Sequence, residues 1–379
     1  MGDVWRLPGP ARLADAARAQ LDRGTSVVLG LPAPLAGDAD FHRGLRRAID
    51  VHFDLLDTSA AEDRPVASVV AEQMSIDDVP PGADAVSMLA RHSKMLGRRL
   101  AFPLAGKAED IASWVAFMRS FLAAARPIPT PDRPLLLITG GHPCALAFTG
   151  ADLATLWWWG VLDRIDTSCH VQDLLPGRAR NGLLRDTIAE VAGYDLDLAS
   201  HLAADWDGDE ATLASALAGY TAPDWAHARV PGSLPRTSTP LSAPPAALVT
   251  LWDLGLADGW DMFGVYVHAC ANAPDRNRLR IWRAQIRNLM PLIDEERARI
   301  ETWLHREVRG LQDGRVLEAG DLFEIVQGDY RLKSWRGGHR KRLVSWLRDA
   351  RNTLAHLETL SPDEVARGRR LIWEDRQAG

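Results

Sequence analysis

Three side chains near the C-terminus, Arg351, Asn352 and His356, bring a cation, an amide and a titratable imidazole together within one six-residue string. An arginine guanidinium stays charged at any working pH and can bind a phosphate through two parallel hydrogen bonds. A histidine imidazole can give or take a proton near neutral pH. Cleavage of an RNA phosphodiester without a metal ion needs groups of these kinds. The string is therefore a candidate site for that chemistry.

The apolar residues around the string predict a helix over 341–360 that would position it. They recur every three or four positions and form one stripe, made of Leu343, Leu347, Ala350, Leu354 and Leu357. Because a helix turns by about 100° per residue, Asn352 and His356 lie opposite the stripe and Arg351 lies on its flank. The imidazole should point away from the core of its own domain. Only a second surface would complete a site there, and a solvated helix face is the alternative.

A second helix is predicted over 362–375. Ser361 and Glu364 have the spacing of a capping box, and Pro362 stands at the first helical position. The C-terminal region is therefore predicted to be a helical hairpin with the candidate site on its first arm.

The string resembles the signature of HEPN domains, in which a polar residue follows an arginine and a histidine comes a few positions later. Those domains are small helical bundles, and many are metal-independent ribonucleases of toxin-antitoxin, CRISPR and other antiviral systems. In the family, the arginine and histidine of two protomers line one cleft. The resemblance implies that Arg351 binds the scissile phosphate, Asn352 gives polar support and His356 does acid/base work on the ribose 2′-hydroxyl. It also implies RNA as a partner and a homodimer formed through the C-terminal helices.

Other arginine-to-histidine pairs of similar spacing occur in the chain, but alanine or isoleucine follows their arginines. These pairs are Arg47 and His52, Arg164 and His170, and Arg299 and His305. Among these arginines, Arg351 alone is followed by a polar residue.

A strongly basic segment directly precedes the candidate helix. Its predicted RNA-binding residues are Lys333, Trp335, Arg336, Arg340 and Lys341. Basic side chains can follow a phosphate backbone, and Trp335 could stack on a base. A solvated charged loop is the alternative that the sequence leaves open.

The whole chain carries a net charge of −6, so it has no global electrostatic signature of nucleic-acid binding. Cys144, Cys169 and Cys270 lack the paired spacing of a disulfide framework or a zinc site. We predict no metal and no cofactor, and the reducing cytoplasm as the compartment. We also expect a soluble protein with no membrane partner, because neither a signal core nor a stretch of spanning length is evident.

The first two thirds of the chain alternate β-rich runs with helical stretches, which predicts an α/β domain with a parallel sheet covered by helices. A helix over 11–21 ends at Gly24 and leads into the first strand. The predicted strands are 25–31, 51–56, 100–104, 134–139 and 164–170.

In outline this order is similar to P-loop NTPases of the AAA and STAND type. Such proteins bind phosphates and magnesium with a glycine-framed lysine and hydroxyl, whereas the segment after Leu31 reads Pro32-Ala-Pro-Leu-Ala-Gly37. The strand at 135–138 leads into Thr139-Gly-Gly-His142, without a carboxylate to orient magnesium. The resemblance therefore implies a degenerate, non-hydrolysing NTPase-like domain.

The proposed domain organisation follows from these patterns. An α/β domain with a helical lid spans 1–221, a proline-rich linker spans 222–245, and an all-α, HEPN-like bundle spans 246–379.

Two functions remain open. The first is a metal-independent endoribonuclease of a prokaryotic antiviral or toxin-like system, regulated by its N-terminal domain. The second is a non-catalytic scaffold or binding component of a multi-protein defence assembly, which the degenerate nucleotide loop favours.

Overall fold

A computed structural model describes most of the chain. The described residues are 4–61, 64–80, 82, 84–105, 108–148, 153–175, 182–220, 229–235, 239–260, 264–271, 274–307, 316–328 and 338–378. They form two compact units. Unit 1 comprises 1–166 and 222–271, and unit 2 comprises 167–221 and 272–379.

Unit 1 is built on a five-stranded, wholly parallel sheet of order β2-β3-β4-β1-β5. Its strands are β1 Ser26–Gly30, β2 Asp54–Leu55, β3 Arg99–Leu104, β4 Leu135–Gly140 and β5 Leu153–Trp157. All residues of β1 and β4 are buried, as expected for strands covered on both faces. The predicted α/β class with a parallel sheet is confirmed for this unit.

The chain leaves β1 toward β2 on one side of the sheet and later crosses to β5 on the other side. Ligands of open parallel sheets bind outside the carboxyl ends of strands at such a reversal. The helices of unit 1 are α1 Pro8–Asp22, α2 Ala33–Ala36, α3 Ala39–Ile49, α4 Val66–Gln73, α5 Ala85–Arg91, α6 Ala108–Ala125, α7 His142–Ala147 and α12 Val249–Asp253. Short 3-10 turns occupy Val4–Arg6, Thr58–Ala61, Ala246–Leu248 and Ala269–Ala271.

The predicted strand over 164–170 is wrong, because the chain forms helix α8 Arg164–Leu174 there. Asp163 explains the difference. Its carboxylate accepts hydrogen bonds from the backbone N–H groups of Ile165, at 2.8 Å, and Asp166, at 3.2 Å, and so caps the first turn. The fifth strand is instead β5, which runs into the buried residues Trp157, Trp158 and Trp159.

A two-stranded antiparallel hairpin completes unit 1, formed by β6 Ala257–Trp260 and β7 Gly264–Val267. Asp258 joins it to the end of β5, because its Oδ1 atom accepts a hydrogen bond from Gly160 N at 2.7 Å. The predicted linker also belongs here. Within it, Leu241 N donates to Trp159 O at 2.9 Å, and Leu241 O accepts from Trp157 N at 3.2 Å.

Unit 2 consists of helices. They are α8 from Thr167 onward, α9 Gly182–Ala192, α10 Leu196–Asp205, α11 Glu210–Ala218, α13 Pro274–Glu307, α14 Ala319–Gly328, α15 His339–Ala355 and α16 Pro362–Ala378. One hydrophobic core contains buried leucine, isoleucine and valine side chains from five helices, namely α9, α13, α14, α15 and α16. Gly368 lets α16 lie close to Trp346, since a Cβ atom there would stand 2.0 Å from the indole. The predicted C-terminal helical region is confirmed.

The predicted domain boundaries differ from this division. The segment assigned to a lid of the N-terminal domain belongs to unit 2, where Leu183 enters the helical core and Asp186 accepts a hydrogen bond from Asn288 at 2.9 Å. The residues from 246 to 271 belong to unit 1 instead. A proline-rich composition indicates the absence of regular structure, but it does not reveal which core the flanking segments join.

No helix in the described part of the chain combines the length and the apolar character that crossing a membrane requires.

Candidate functional site

Helix α15 carries the predicted catalytic residues at its C-terminal end. Four members of the predicted stripe are buried in the core of unit 2, namely Leu343, Leu347, Ala350 and Leu354. Asn352 and His356 are exposed, and Arg351 is partly exposed. Asn352 and His356 therefore point away from the core of their own unit, as the sequence predicted.

The fifth member of the stripe, Leu357, was expected to face the core and instead is 54% exposed. The helix ends at its C-cap, His356, and Leu357 follows with a φ of +62°. Its N–H donates to Leu354 O at 3.3 Å, and the N–H of Glu358 donates to Thr353 O at 3.1 Å. These two bonds define a Schellman motif, whose left-handed position usually holds glycine. A leucine there is strained and turns its side chain to solvent.

Side chains of α13 fix this end of α15. Trp282 Nε1 donates to Leu354 O at 2.7 Å. The buried amide of Gln285 bonds both backbone groups of Leu360, at 2.7 and 2.8 Å. These hydrogen bonds fix the backbone before and after His356, as a binding or catalytic group requires.

Arg351 has an ion-pair partner that the sequence pattern did not indicate. Its Nη2 atom lies 2.7 Å from Oε2 of Glu318, the residue before α14. Both side chains are partly solvated, at 36% and 57% exposure, so the pair is of the weak surface kind. A phosphate that approached Arg351 would compete with this carboxylate.

The predicted capping box at the start of α16 is confirmed. Ser361 N donates to Oε2 of Glu364 at 2.8 Å, and Glu364 N donates to Ser361 Oγ at 3.3 Å. The hairpin of α15 and α16 therefore has the predicted order.

The predicted RNA-binding segment divides into parts with different outcomes. Lys333, Trp335 and Arg336 lie outside the described residues. Lys341 is partly exposed on α15. Arg340 is buried, with 6% of its surface exposed, so the prediction that it contacts RNA needs correction.

Arg340 belongs to a buried network of charges within unit 2. Its Nε donates to Asp375 Oδ1 at 2.7 Å, and its guanidinium lies 4.4 Å from the ring centre of Trp303. Asp375 also pairs with Arg299, whose Nε donates to Glu296 at 2.8 Å. Burial opposes ionisation of Asp375, but hydrogen bonds from Arg340 and Arg299 outweigh it and lower the pKa of this carboxyl. The network stabilises the bundle and does not form a surface for RNA.

In unit 1, the loop after β1 is closed against phosphate. The N–H groups of Leu35 and Ala36 donate to Pro32 O, and that of Leu31 donates to Gly140 O. Pro32 and Pro34 have no N–H group. The N–H group of Ala33 donates to the Asp253 carboxylate, that of Gly37 to Ala33 O and that of Asp38 to Leu35 O. A phosphate-binding nest requires free N–H groups pointing at the anion, and this loop offers none.

Two side chains reinforce the closed loop. Asp38 caps α3 by accepting from the N–H groups of Asp40, at 2.8 Å, and Phe41, at 3.1 Å, so a carboxylate occupies the helix N-terminus that would attract a phosphate. His42 is buried, donates through Nε2 to Ala36 O at 2.8 Å and accepts from Thr139 Oγ1, 3.2 Å from its Nδ1. Burial lowers the pKa of His42, which keeps the imidazole neutral for these bonds.

At the carboxyl edge of the sheet, His142 stands at the start of α7, with ring centres 5.3 Å from Trp157 and 6.4 Å from Trp252. Burial lowers the pKa of His142 and raises that of Asp253, and their mutual attraction opposes both shifts. Cys144, two residues away, is buried, and this raises the pKa of its thiol to about 12. Cys144 is therefore no nucleophile at neutral pH.

No group of three or more His, Cys, Asp or Glu side chains in the described ranges could hold a metal ion. All three cysteines carry free thiols. Comparison of the chain with protein-family models, with curated proteins and with solved structures found no match.

Proposed function

We propose that unit 2 is a HEPN-like, metal-independent endoribonuclease that acts in a prokaryotic antiviral or toxin-like system. The observation that carries this proposal is the arrangement on α15. An exposed imidazole, an exposed amide and a partly exposed guanidinium lie at one end of a helix whose opposite face is buried. This arrangement offers a phosphate-binding cation and a proton-transfer group to a ligand outside the unit.

The proposed reaction is attack of a ribose 2′-hydroxyl on the adjacent phosphate. His356 takes the hydroxyl proton while the 2′-oxygen forms a bond to phosphorus. The bond from phosphorus to the 5′-oxygen breaks, and that oxygen receives a proton from an acid or water. Arg351 stabilises the charge that develops on the phosphate oxygens. The products are a 2′,3′-cyclic phosphate and a 5′-hydroxyl.

We further propose that a second copy of the chain completes the cleft through the C-terminal helices. Leu357 supports this part of the proposal, because it is a large apolar side chain next to His356 that is both exposed and conformationally strained. Residues with a strained backbone cluster at active sites, ligand clamps and switch regions. Covering Leu357 with a partner would bury apolar surface beside the imidazole.

A second candidate function is a non-catalytic scaffold of a defence assembly, and two observations favour it. Glu318 neutralises Arg351 within a single chain, and the closed loop after β1 leaves unit 1 without a phosphate cradle. For both functions we propose that unit 1 is a degenerate NTPase-like domain, which binds a ligand or a partner without hydrolysing a nucleotide. We propose the cytoplasm as the compartment, where thiols such as these stay reduced.

The test is RNA cleavage in excess EDTA by the full chain. Transfer RNA and ribosomal RNA are incubated with the wild type, His356→Ala and Arg351→Ala, at matched concentration. His92→Ala and Arg367→Ala are the control variants, because His92 is partly exposed, Arg367 is exposed, and both lie outside the candidate site. Loss of either member of the pair should lower the rate by about a hundredfold or more, and the controls should keep it.

The end groups of the products, and their loss in the site variants, distinguish cleavage by this protein from cleavage by a contaminating nuclease. Cleavage by the wild type that leaves cyclic phosphate ends and vanishes only in the two site variants supports the nuclease. Cleavage that persists in His356→Ala contradicts it. If no RNA is cut by any preparation that sediments as a dimer, the scaffold becomes the better proposal.

A further inference from the structure

A basic groove lies on unit 1, away from the closed loop after β1. Its volume is about 480 Å³, and it is lined by Arg43, Arg46, Arg47, Asp50, Val51, His52 and Phe53. Arg43 lies near the middle of α3, Arg46 and Arg47 lie in its last turn, and the other residues follow the end of that helix. The chain as a whole has a net charge of −6, so this concentration of positive charge is local.

The acidic groups nearby only partly neutralise the groove. Asp40 lies 3.1 Å from Arg43, and Asp50 lies 3.5 Å from Arg18 of α1. Within the described part of the chain, Arg46 and Arg47 have no carboxylate within 4.0 Å. Two guanidinium groups therefore line the groove without an anionic partner among the described residues.

The spacing of the arginines makes this arrangement unfavourable for the protein alone. Arg46 and Arg47 follow Arg43 by three and four positions, so all three share one side of α3, where like charges destabilise a helix. Partial burial, and then repulsion from Arg43, lower the pKa of Arg46. The helix dipole favours cations in the last turn, but it does not account for Arg43, which lies one turn earlier. A bound anion would relieve the repulsion.

The segment after α3 adds further donors to the groove. Asp50 has a left-handed conformation, with φ +53° and ψ +44°, which turns the chain away from the helix axis. In the described structure, the backbone N–H groups of Val51 and His52 have no protein acceptor. The His52 side chain is 86% exposed, and its Nε2 atom lies 3.8 Å from Asp54 Oδ1. Guanidinium forks together with unpaired N–H groups are the donors that bind phosphate oxygens.

We propose that this groove binds an anion carrying two or more phosphate groups. More than one phosphate is inferred because two unneutralised guanidiniums and a flanking imidazole line an open groove rather than a single enclosed pocket. The site is separate from the candidate nuclease residues of unit 2, and the proposal does not depend on RNA cleavage.

The test is calorimetric titration of the full chain with inorganic tripolyphosphate in low salt. The wild type should bind it, and Arg46→Gln combined with Arg47→Gln should weaken binding by about tenfold or more. The matched control combines Arg91→Gln with Arg119→Gln, which removes the same charge from exposed positions on α5 and α6. Asp50→Asn removes the lining carboxylate and should tighten binding, which provides a test if the arginine variants fold poorly.

The outcomes are distinct. Equal losses in the groove variant and in the control would mean unspecific attraction and would overturn the proposal, as would absence of binding by the wild type. Competition then identifies the source of the phosphates. Displacement by a nucleoside triphosphate identifies a phosphoanhydride ligand, and displacement by a single-stranded oligonucleotide without terminal phosphates identifies a phosphodiester backbone. Either result supports the proposed anion site.

Discussion

Arg351 and Glu318 form an ion pair in which Nη2 and Oε2 lie 2.7 Å apart, so the cation of the candidate site has an acidic partner in its own chain. A ligand phosphate must displace this carboxylate before Arg351 can bind it. Because both side chains are partly solvated, the pair contributes at most about 1 kcal/mol. Glu318 therefore weakens phosphate binding without preventing it.

Replacing Glu318 by glutamine should strengthen RNA binding by about two- to fivefold, because the released guanidinium no longer exchanges one anion for another. The measurement is the dissociation constant for a short single-stranded RNA, made in the His356→Ala background so that the RNA stays intact. Glu324→Gln is the control, since Glu324 is an exposed glutamate on α14. Weaker binding after Glu318→Gln would show that Glu318 positions Arg351 instead of competing for it.

Replacing Leu357 by glycine should make the chain more stable than replacing it by alanine, by about 1 kcal/mol. Both changes remove the exposed side chain, but only glycine relieves the strain at a φ of +62°. Urea unfolding of the two variants gives the comparison. Sedimentation of both variants tests the dimer, which should weaken equally in each because the apolar contact is gone from each. An alanine variant as stable as the glycine variant would mean that the turn is unstrained.

Removing Asp375 should destabilise unit 2 by about 3–5 kcal/mol, because Arg299 and Arg340 would remain charged without their shared carboxylate. The measurement is chemical denaturation of Asp375→Ala. Asp275→Ala is the matched control, since Asp275 pairs with Arg278 at 2.7 Å but is 85% exposed, and its loss should cost no more than about 0.5 kcal/mol. Similar losses for both variants would contradict the role assigned to the buried network.

Asp258 should make the stability of unit 1 fall as the pH rises. Complete burial raises the pKa of this carboxyl to about 8 from an ordinary value of 3.8, although hydrogen bonds from Gly160 and Gly259 oppose the shift. Between these two values the folded state binds more protons than the unfolded state, so stability decreases with pH, by up to about 1.4 kcal/mol per unit. The contribution is complete below pH 3.8 and is lost as the pH passes through about 8.

Asp258→Asn should remove this dependence. Both backbone N–H groups donate to Oδ1, which asparagine retains. Unfolding free energies measured from pH 4 to 8 should therefore decline less steeply in the variant than in the wild type. Asp15→Asn, at an exposed position on α1, is the control and should follow the wild type. A variant with an unchanged slope would show that Asp258 stays ionised in the folded protein.

Much of the fold follows from local patterns in the sequence. The runs that became β1, β3 and β4 are nearly continuous stretches of apolar residues, as strands buried on both faces require. The helix predicted over 11–21 lies within α1, and the spacing of leucines correctly placed the buried face of α15. These features depend on neighbours a few positions apart, which a single sequence displays directly.

The remaining features depend on distant partners. Arg340 was predicted to bind RNA as part of a basic segment, but its carboxylate partner is Asp375, 35 positions later. Glu318 is 33 positions before Arg351, and the segment 167–221 joined a core whose other members lie beyond residue 272. The groove on α3 was missed for another reason. Arg43, Arg46 and Arg47 are visible in the sequence, but only the folded structure shows that no carboxylate of the described residues lies within 4.0 Å of Arg46 or Arg47.

The closed loop after β1 also restricts how unit 1 can act as a control element. A domain that turns over a nucleoside triphosphate has a built-in timer, since hydrolysis ends its active state irreversibly. With the backbone donors of that loop consumed internally and Asp38 at the start of α3, the loop cannot hold a triphosphate for such a timer. As the non-hydrolysing domain proposed above, unit 1 would transmit a signal that rises and decays with the concentration of whatever it binds, by mass action alone.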